Sequence, residues 1–139
     1  MTKDNIDNRL VIPLNLNKND TQSVIRQFSI IIALVFRTKK RETELIYRMM
    51  NEFYILSKET SNIELIYKTL NSTEYRRKIC DLMGIRLEIY RTMLHQLRSK
   101  KILKGGNDFN YFHSIIENYL INFDKNIDEF DIVFKLITK

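Results

Sequence analysis

Residues 72–103 read STEYRRKICDLMGIRLEIYRTMLHQLRSKKIL, two helix-like runs separated by a single glycine, Gly84. A glycine suits an abrupt helix end because it adopts the left-handed backbone conformation without a steric penalty. Ile85, directly after it, is placed to fill the corner between the two runs. The spacing therefore predicts one helix over residues 73–83, a tight turn, and a second helix over residues 87–100.

Both predicted helices are amphipathic, with apolar side chains recurring at the three-and-four spacing of a helix face. Asn71 or Ser72 is placed to cap the start of the first helix. The inward positions of the first helix are Tyr75, Ile79 and Leu82. The inward positions of the second helix are Tyr90, Met93, Leu94 and Leu97. Its outward positions are Glu88, Arg91, Thr92, His95, Gln96 and Ser99.

Positive charge is concentrated in this central stretch. The chain of 139 residues has 23 basic and 17 acidic side chains, a formal net charge of +6. Residues 72–106 hold 9 basic and 3 acidic side chains, whereas residues 1–71 hold 11 and 8, and residues 107–139 hold 3 and 6. A basic excess confined to one segment indicates a surface for an anionic partner, although any solvated helix face of a lysine-rich protein has a similar composition.

The remainder of the chain predicts a single, mainly α domain with a small β component. An extended N-terminal arm is expected over residues 1–20, because Pro13 keeps its apolar segment out of a central strand. The helical domain is expected over residues 21–139. Apolar spacing predicts further helices at about 20–36, 39–57 and 62–70, and the β-branched centre of the first of them also suits a strand.

Past the second central helix, the sequence KGGND at residues 104–108 is a turn signal, in which Gly105 and Gly106 are free to adopt positive φ. Residues 109–123 then predict either a strand that runs into a short helix or a helix throughout. The tail alternates apolar and polar side chains at residues 130–136, which predicts a further strand. This C-terminal part is expected to supply a wing or strand beside the helices.

The order of helix, glycine turn, helix and the basic, aliphatic sequence KKIL resembles the helix-turn-helix of winged-helix proteins. The resemblance covers residues 72–103. Two positions depart from the family pattern. Arg86 stands where a small capping residue is usual, which affects the start of the recognition helix, and Lys101 stands where a glycine often precedes the first wing strand, which affects the tightness of the wing hairpin.

This resemblance implies that duplex DNA is the partner and that the second central helix reads it. Arginine and glutamine can make bidentate contacts to guanine and adenine in the major groove. The groove-facing side chains implied are Arg91, Thr92, His95 and Gln96. Those implied to lie near phosphates are Arg76, Arg77, Lys78, Arg98, Lys100 and Lys104, and Arg86 completes the nucleic-acid-binding set.

Patterns typical of enzymes are weak throughout the sequence. His95 and His113 have no Cys or carboxylate at ligand spacing, so neither a metal nor another cofactor is expected. Cys80 is the only cysteine, which rules out an internal disulfide. We expect the C-terminal aromatic side chains to fill the core beneath the wing in preference to stacking on bases. They are Phe109, Tyr111, Phe112, Tyr119 and Phe123.

These observations favour a non-enzymatic DNA-binding regulator of the host cytoplasm, encoded by a phage or by a bacterium of low GC content, since the chain is rich in Asn, Ile and Lys. The alternative is a phage virion structural protein, such as a ring, adaptor or connector component of the head–tail neck, that uses the same helices for contacts between subunits. Either interpretation favours a homo-oligomer. The longest apolar run, residues 30–36, is too short to span a bilayer, so no membrane contact is expected.

Overall fold

The computed structural model describes residues 21–106 and 109–122. These residues form six α-helices and one two-stranded antiparallel sheet, which confirms the prediction of a mainly helical fold with a small β component. The helices are α1 (Thr21–Phe36), α2 (Lys40–Glu59), α3 (Ile63–Leu70), α4 (Thr73–Met83), α5 (Leu87–Ser99) and α6 (Ser114–Ile121), and the strands are β1 (Leu103–Gly106) and β2 (Phe109–Phe112).

The long helices α1 and α2 pack against each other and form the base of the core. Phe28 of α1 is fully buried and its ring lies 4.6 Å from that of Tyr119 on α6, measured between centroids. Phe53 of α2 reaches the sheet, where its ring contacts Phe112 at 5.8 Å in an edge-to-face geometry. These side chains belong to one cluster of buried residues that includes members of all six helices and both strands, so the described part of the chain has one hydrophobic core.

The predicted central pair is present as two separate helices. Ser72, one of the two capping candidates, is the residue whose hydroxyl accepts a hydrogen bond from the Tyr75 amide, at 3.1 Å. Gly84 ends α4 in the left-handed conformation, with φ +65°, and the amide of Ile85 donates to the carbonyl of Cys80 at 3.0 Å. This is the helix end that the sequence favours, because only a residue tolerant of positive φ closes it without strain.

The buried face of α4 differs from the prediction at Leu82, which is 54% exposed. Tyr75 and Ile79 are buried as expected, but Cys80 is buried as well and Met83 packs against the core. The buried face is therefore rotated toward Cys80 and Met83, and Leu82 lies at its edge in the last turn. The inward set of α5 is buried at all four predicted positions, Tyr90, Met93, Leu94 and Leu97.

A β-hairpin follows α5, in the segment where the sequence predicts a turn. Gly105 and Gly106 are the last residues of β1 and pair with Asn110 and Phe109 of β2. Gly105 has φ +105°, and a Cβ atom there would collide with the backbone oxygen of Phe109. Glycine is therefore required by the close approach of the two strands. After β2 the chain enters α6, the strand-then-helix alternative.

The outer edge of β2 is covered by two side chains. The amide of Asn71 accepts a hydrogen bond from the Asn110 N–H at 2.8 Å and donates to the Asn110 carbonyl at 3.1 Å. Two residues along, the N–H of Phe112 donates to the Tyr67 hydroxyl at 3.2 Å. The Asn71 side chain thus pairs with β2 as the backbone of a third strand would.

The second departure from the winged-helix pattern, Lys101, lies directly after the C-cap of α5. Lys101 has φ +67°, the conformation that usually selects glycine. The amide of Ile102 donates to the Leu97 carbonyl at 3.0 Å, so α5 ends with the same hydrogen-bond pattern as α4. The predicted arm at residues 1–20, the strand at residues 130–136 and the position of Phe123 lie outside the described residues.

Candidate nucleic-acid interface

The outward face of α5 carries the predicted base-reading side chains together. Arg91, Thr92 and His95 are exposed, and Gln96 is half-buried at the edge of the same face. The Thr92 hydroxyl donates to the Glu88 carbonyl within the helix, at 3.0 Å. The opposite face of α5 is buried in the core, so the helix is held rigidly while its polar face is presented to solvent.

The three consecutive cations of α4 differ in their surroundings. Arg77 and Lys78 are exposed, whereas Arg76 is half-buried and its guanidinium donates to the Thr73 hydroxyl at 3.2 Å. The Lys78 ammonium lies 4.0 Å from a carboxylate oxygen of Glu52 on α2, but its side chain is 58% exposed. Such an exposed pair is weak, so Lys78 is able to exchange this contact for a phosphate.

Two of the residues predicted to lie near phosphates are engaged within the fold. Arg98 donates to the side-chain oxygen of buried Asn110 at 2.6 Å and so ties α5 to β2. The Lys100 ammonium lies 2.8 Å from Glu42 and donates to the Arg37 carbonyl at 3.3 Å. Their first role is to position α5 against the hairpin and against the start of α2.

Of the remaining two predicted cations, Arg86 lies directly before α5 and Lys104 lies on the strand that follows it. Arg86 precedes α5 and makes no capping hydrogen bond with its side chain, as the departure from the family pattern indicated. Lys104 is exposed on β1, opposite Tyr111 of β2.

A second basic cluster lies beside α5 and was missed in the sequence. Lys39, Lys40 and Arg41 are exposed at the start of α2. They line one cleft of about 440 Å³ together with the α5 residues Ile89, Thr92, Met93 and Gln96. The signal was the run RTKKR at residues 37–41, four cations in five residues, which the segment sums concealed by averaging it with acidic neighbours.

Glu42 fixes this arrangement. It is 3% exposed, its carboxylate accepts a hydrogen bond from the Lys39 amide at 3.0 Å, and it pairs with Lys100. Burial acts to raise the pKa of Glu42, but the hydrogen bonds from Lys100 and from the Lys39 amide outweigh it and hold that pKa below its usual value. The carboxylate is therefore ionised at neutral pH and its charge is matched by Lys100.

The chain matches no model of a known protein family, and neither the curated proteins nor the solved structures include a significant match. None of the described helices is both long and apolar enough to cross a membrane. Across residues 21–106 and 109–122, no cluster of three or more His, Cys, Asp or Glu side chains is arranged to hold a metal ion.

Proposed function

We propose that this protein binds duplex DNA without catalysing a reaction, in the manner of a winged-helix regulator, with α5 in the major groove. The observation that carries the proposal is the cleft between α5 and the start of α2, where three exposed cations adjoin the polar face of the candidate reading helix. The sequence alone predicts the polar face of α5 and the basic residues of the central segment. The fold brings to it a second source of positive charge that is far away in the chain.

The two sides of the cleft are suited to different parts of the duplex. Arg91 and Gln96 on α5 have the donor and acceptor groups that recognise guanine and adenine edges. Lys39, Lys40 and Arg41 lie at the N-terminal end of a 20-residue helix, where the backbone dipole also favours a phosphate. A major groove admits one α-helix, so α5 would enter it while α2 contacts the adjoining backbone.

The hairpin follows α5 in the chain, as the wing of a winged-helix protein would. Lys104 is exposed on β1 and Lys101 is exposed immediately before it. Cations at these positions would contact phosphates beside the groove that α5 occupies. The Arg98–Asn110 hydrogen bond fixes the hairpin relative to α5, which suits a surface that must match a rigid duplex.

The test is a fluorescence anisotropy titration of labelled duplexes, one selected from a random pool and one of scrambled sequence, at two salt concentrations. Arg91→Ala should weaken binding to the selected duplex by about 1–3 kcal/mol and reduce discrimination between the two. Lys40→Ala should weaken binding to both duplexes equally. The log–log salt slope should become shallower by about one for the latter variant, because one fewer counterion is released.

Lys58→Ala is the matched control. It removes the same charge from the opposite end of α2, about 27 Å away by the rise of the helix, and should leave affinity unchanged. Equal affinity of the parent for both duplexes would overturn a sequence-reading role. An effect of Lys58→Ala as large as that of Lys40→Ala would show that only the overall charge matters.

One observation favours the second candidate, a role in assembly such as that of a virion neck component. Ile30 and Leu34 of α1 are 46% and 54% exposed and lie four residues apart, on one face of the helix. Adjacent exposed aliphatic side chains are suited to a contact between subunits. Sedimentation velocity of the parent and of Leu34→Lys tests this candidate, which requires an oligomer in the parent and a smaller species in the variant.

A further inference from the structure

A second cleft lies between α3, β2 and α6, and its lining residues differ from those of the basic cleft beside α5. It has a volume of about 450 Å³, which falls within the range of small-molecule sites. Its walls include Tyr67, Tyr111 and Phe109, and two carboxylates, Glu64 and Glu117, line it. On a protein with a net charge of +6, a cleft with this lining is a local exception.

The three rings form a connected aromatic wall. The centroids of Tyr67 and Tyr111 are 5.0 Å apart with the planes at 71°, and those of Tyr111 and Phe109 are 5.1 Å apart at 56°. In the first pair the edge of one ring meets the face of the other, and the second pair is tilted, so the three rings form one continuous aromatic surface. Ring faces carry negative electrostatic potential and attract cations, and several such faces together bind quaternary ammonium groups.

One wall of the cleft is fixed before any ligand arrives. The Tyr67 hydroxyl donates to Glu117 at 2.6 Å and accepts from the Phe112 N–H at 3.2 Å, and its ring is almost completely buried. Phe109 and Tyr111 of the facing strand are, in contrast, 37% and 39% exposed. Leaving two large rings in water is unfavourable, and an apolar ligand packed against them would remove that surface from solvent.

Charge distinguishes the class of ligand. Lys68 is the basic side chain among the residues that line the cleft, against the two carboxylates. Phosphate groups would be repelled by the carboxylates, so stacking of nucleic acid bases fits this surface poorly. A compact cation with aromatic or alkyl substituents satisfies both the rings and the carboxylates.

We propose that this cleft is a binding site for a small organic cation, held by the aromatic wall of Tyr67, Tyr111 and Phe109, of which Tyr111 and Phe109 are the exposed part, and by the carboxylates of Glu64 and Glu117. The cleft shares no lining residue with the basic cleft beside α5, and it is tested without DNA. Its location on β2 places any bound ligand directly against the hairpin.

The experiment is isothermal titration of the full chain with benzyltrimethylammonium and, separately, with benzenesulfonate, an anion of similar size. The cation should bind at least about tenfold more tightly than the anion. Tyr111→Ala and Glu117→Gln should each weaken binding of the cation by about 3- to 30-fold, the size expected from loss of one such contact. Glu117→Gln keeps an acceptor for the Tyr67 hydroxyl, so it tests charge while preserving the wall.

Glu74→Gln is the matched control, since it removes an exposed carboxylate from α4, outside the cleft. It should bind the cation as the parent does. Equal affinity for cation and anion, unchanged affinity in both cleft variants, or an equal loss in the control would overturn the proposal. Tighter binding of a trimethyl-lysine peptide than of the free cation would overturn it in favour of a protein-docking surface.

Discussion

The Lys100 ammonium lies 2.8 Å from the Glu42 carboxylate and joins the C-terminal end of α5 to the first turn of α2. The contact spans 58 residues of chain. Because Glu42 also accepts a hydrogen bond from the Lys39 amide, one buried carboxylate orients both sides of the basic cleft. The spacing between the candidate reading helix and the candidate phosphate-binding cations depends on this pair.

Replacing the cation of this pair should destabilise the fold. Lys100→Met keeps the aliphatic stem but leaves the Glu42 carboxylate buried without its ammonium partner, which should lower the free energy of unfolding by about 2 kcal/mol. Urea denaturation followed by circular dichroism measures this change. Lys104→Met, at an exposed position on β1, is the control and should stay within about 0.5 kcal/mol of the parent.

Acid should remove the contribution of the Glu42 carboxylate to the stability of the fold. A carboxyl group whose pKa is lowered by folding stabilises the protein above its unfolded pKa, and that stabilisation disappears as pH falls through the folded pKa. The pKa of Glu42 is lowered on balance despite its burial, so the stability advantage of the parent over Glu42→Gln should shrink between about pH 6 and pH 3. An advantage that stays constant over this interval would contradict the ionised pair.

Two leucines provide a matched test of which residues the central helices bury. Leu94 of α5 is 6% exposed and Leu82 of α4 is 54% exposed. Leu94→Ala should cost about 2–5 kcal/mol because it opens a cavity in the core, whereas Leu82→Ala should change stability by less than about 1 kcal/mol. Chemical denaturation midpoints compare them, and similar losses for both would place Leu82 in the core after all.

The two left-handed helix ends should respond in opposite directions to substitution. Lys101→Gly relieves a strained backbone at φ +67° and should raise stability by about 0.5–1 kcal/mol, after allowance for the flexibility of glycine in the unfolded chain. Gly84→Ala introduces the same strain where no atom obstructs a Cβ, and should lower stability by about 1 kcal/mol. Thermal unfolding monitored at one pH distinguishes these signs.

Helices of the central pair could be predicted closely because their signals are local. Ser72 and Gly84 mark the two ends of α4 within a few residues of the apolar pattern they enclose, and α5 ends one residue before the predicted bound. Leu82 was misplaced because helical spacing fixes which residues share a face but not how far that face is rotated toward its neighbours.

The basic cleft could not be predicted in the same way. Lys39, Lys40 and Arg41 approach α5 only because the buried Glu42 pairs with Lys100, a contact between residues distant in the chain. Charge sums by segment describe the sequence, whereas a binding surface combines segments that folding brings together. The two exposed rings of β2 were misjudged for a related reason, since alternation in a four-residue strand leaves open which pair faces inward.

The side chains that cover the outer edge of β2 also limit how this domain can associate. An uncovered strand edge invites another chain to add a strand, which is a common route to domain swapping and fibrous aggregation. Here the Asn71 amide and the Tyr67 hydroxyl already occupy the backbone groups of Asn110 and the N–H of Phe112 that a visiting strand would use. Any partner that meets β2 must therefore bind its side-chain face, and the hairpin cannot be extended at this edge without first displacing two ordered residues of the helical layer.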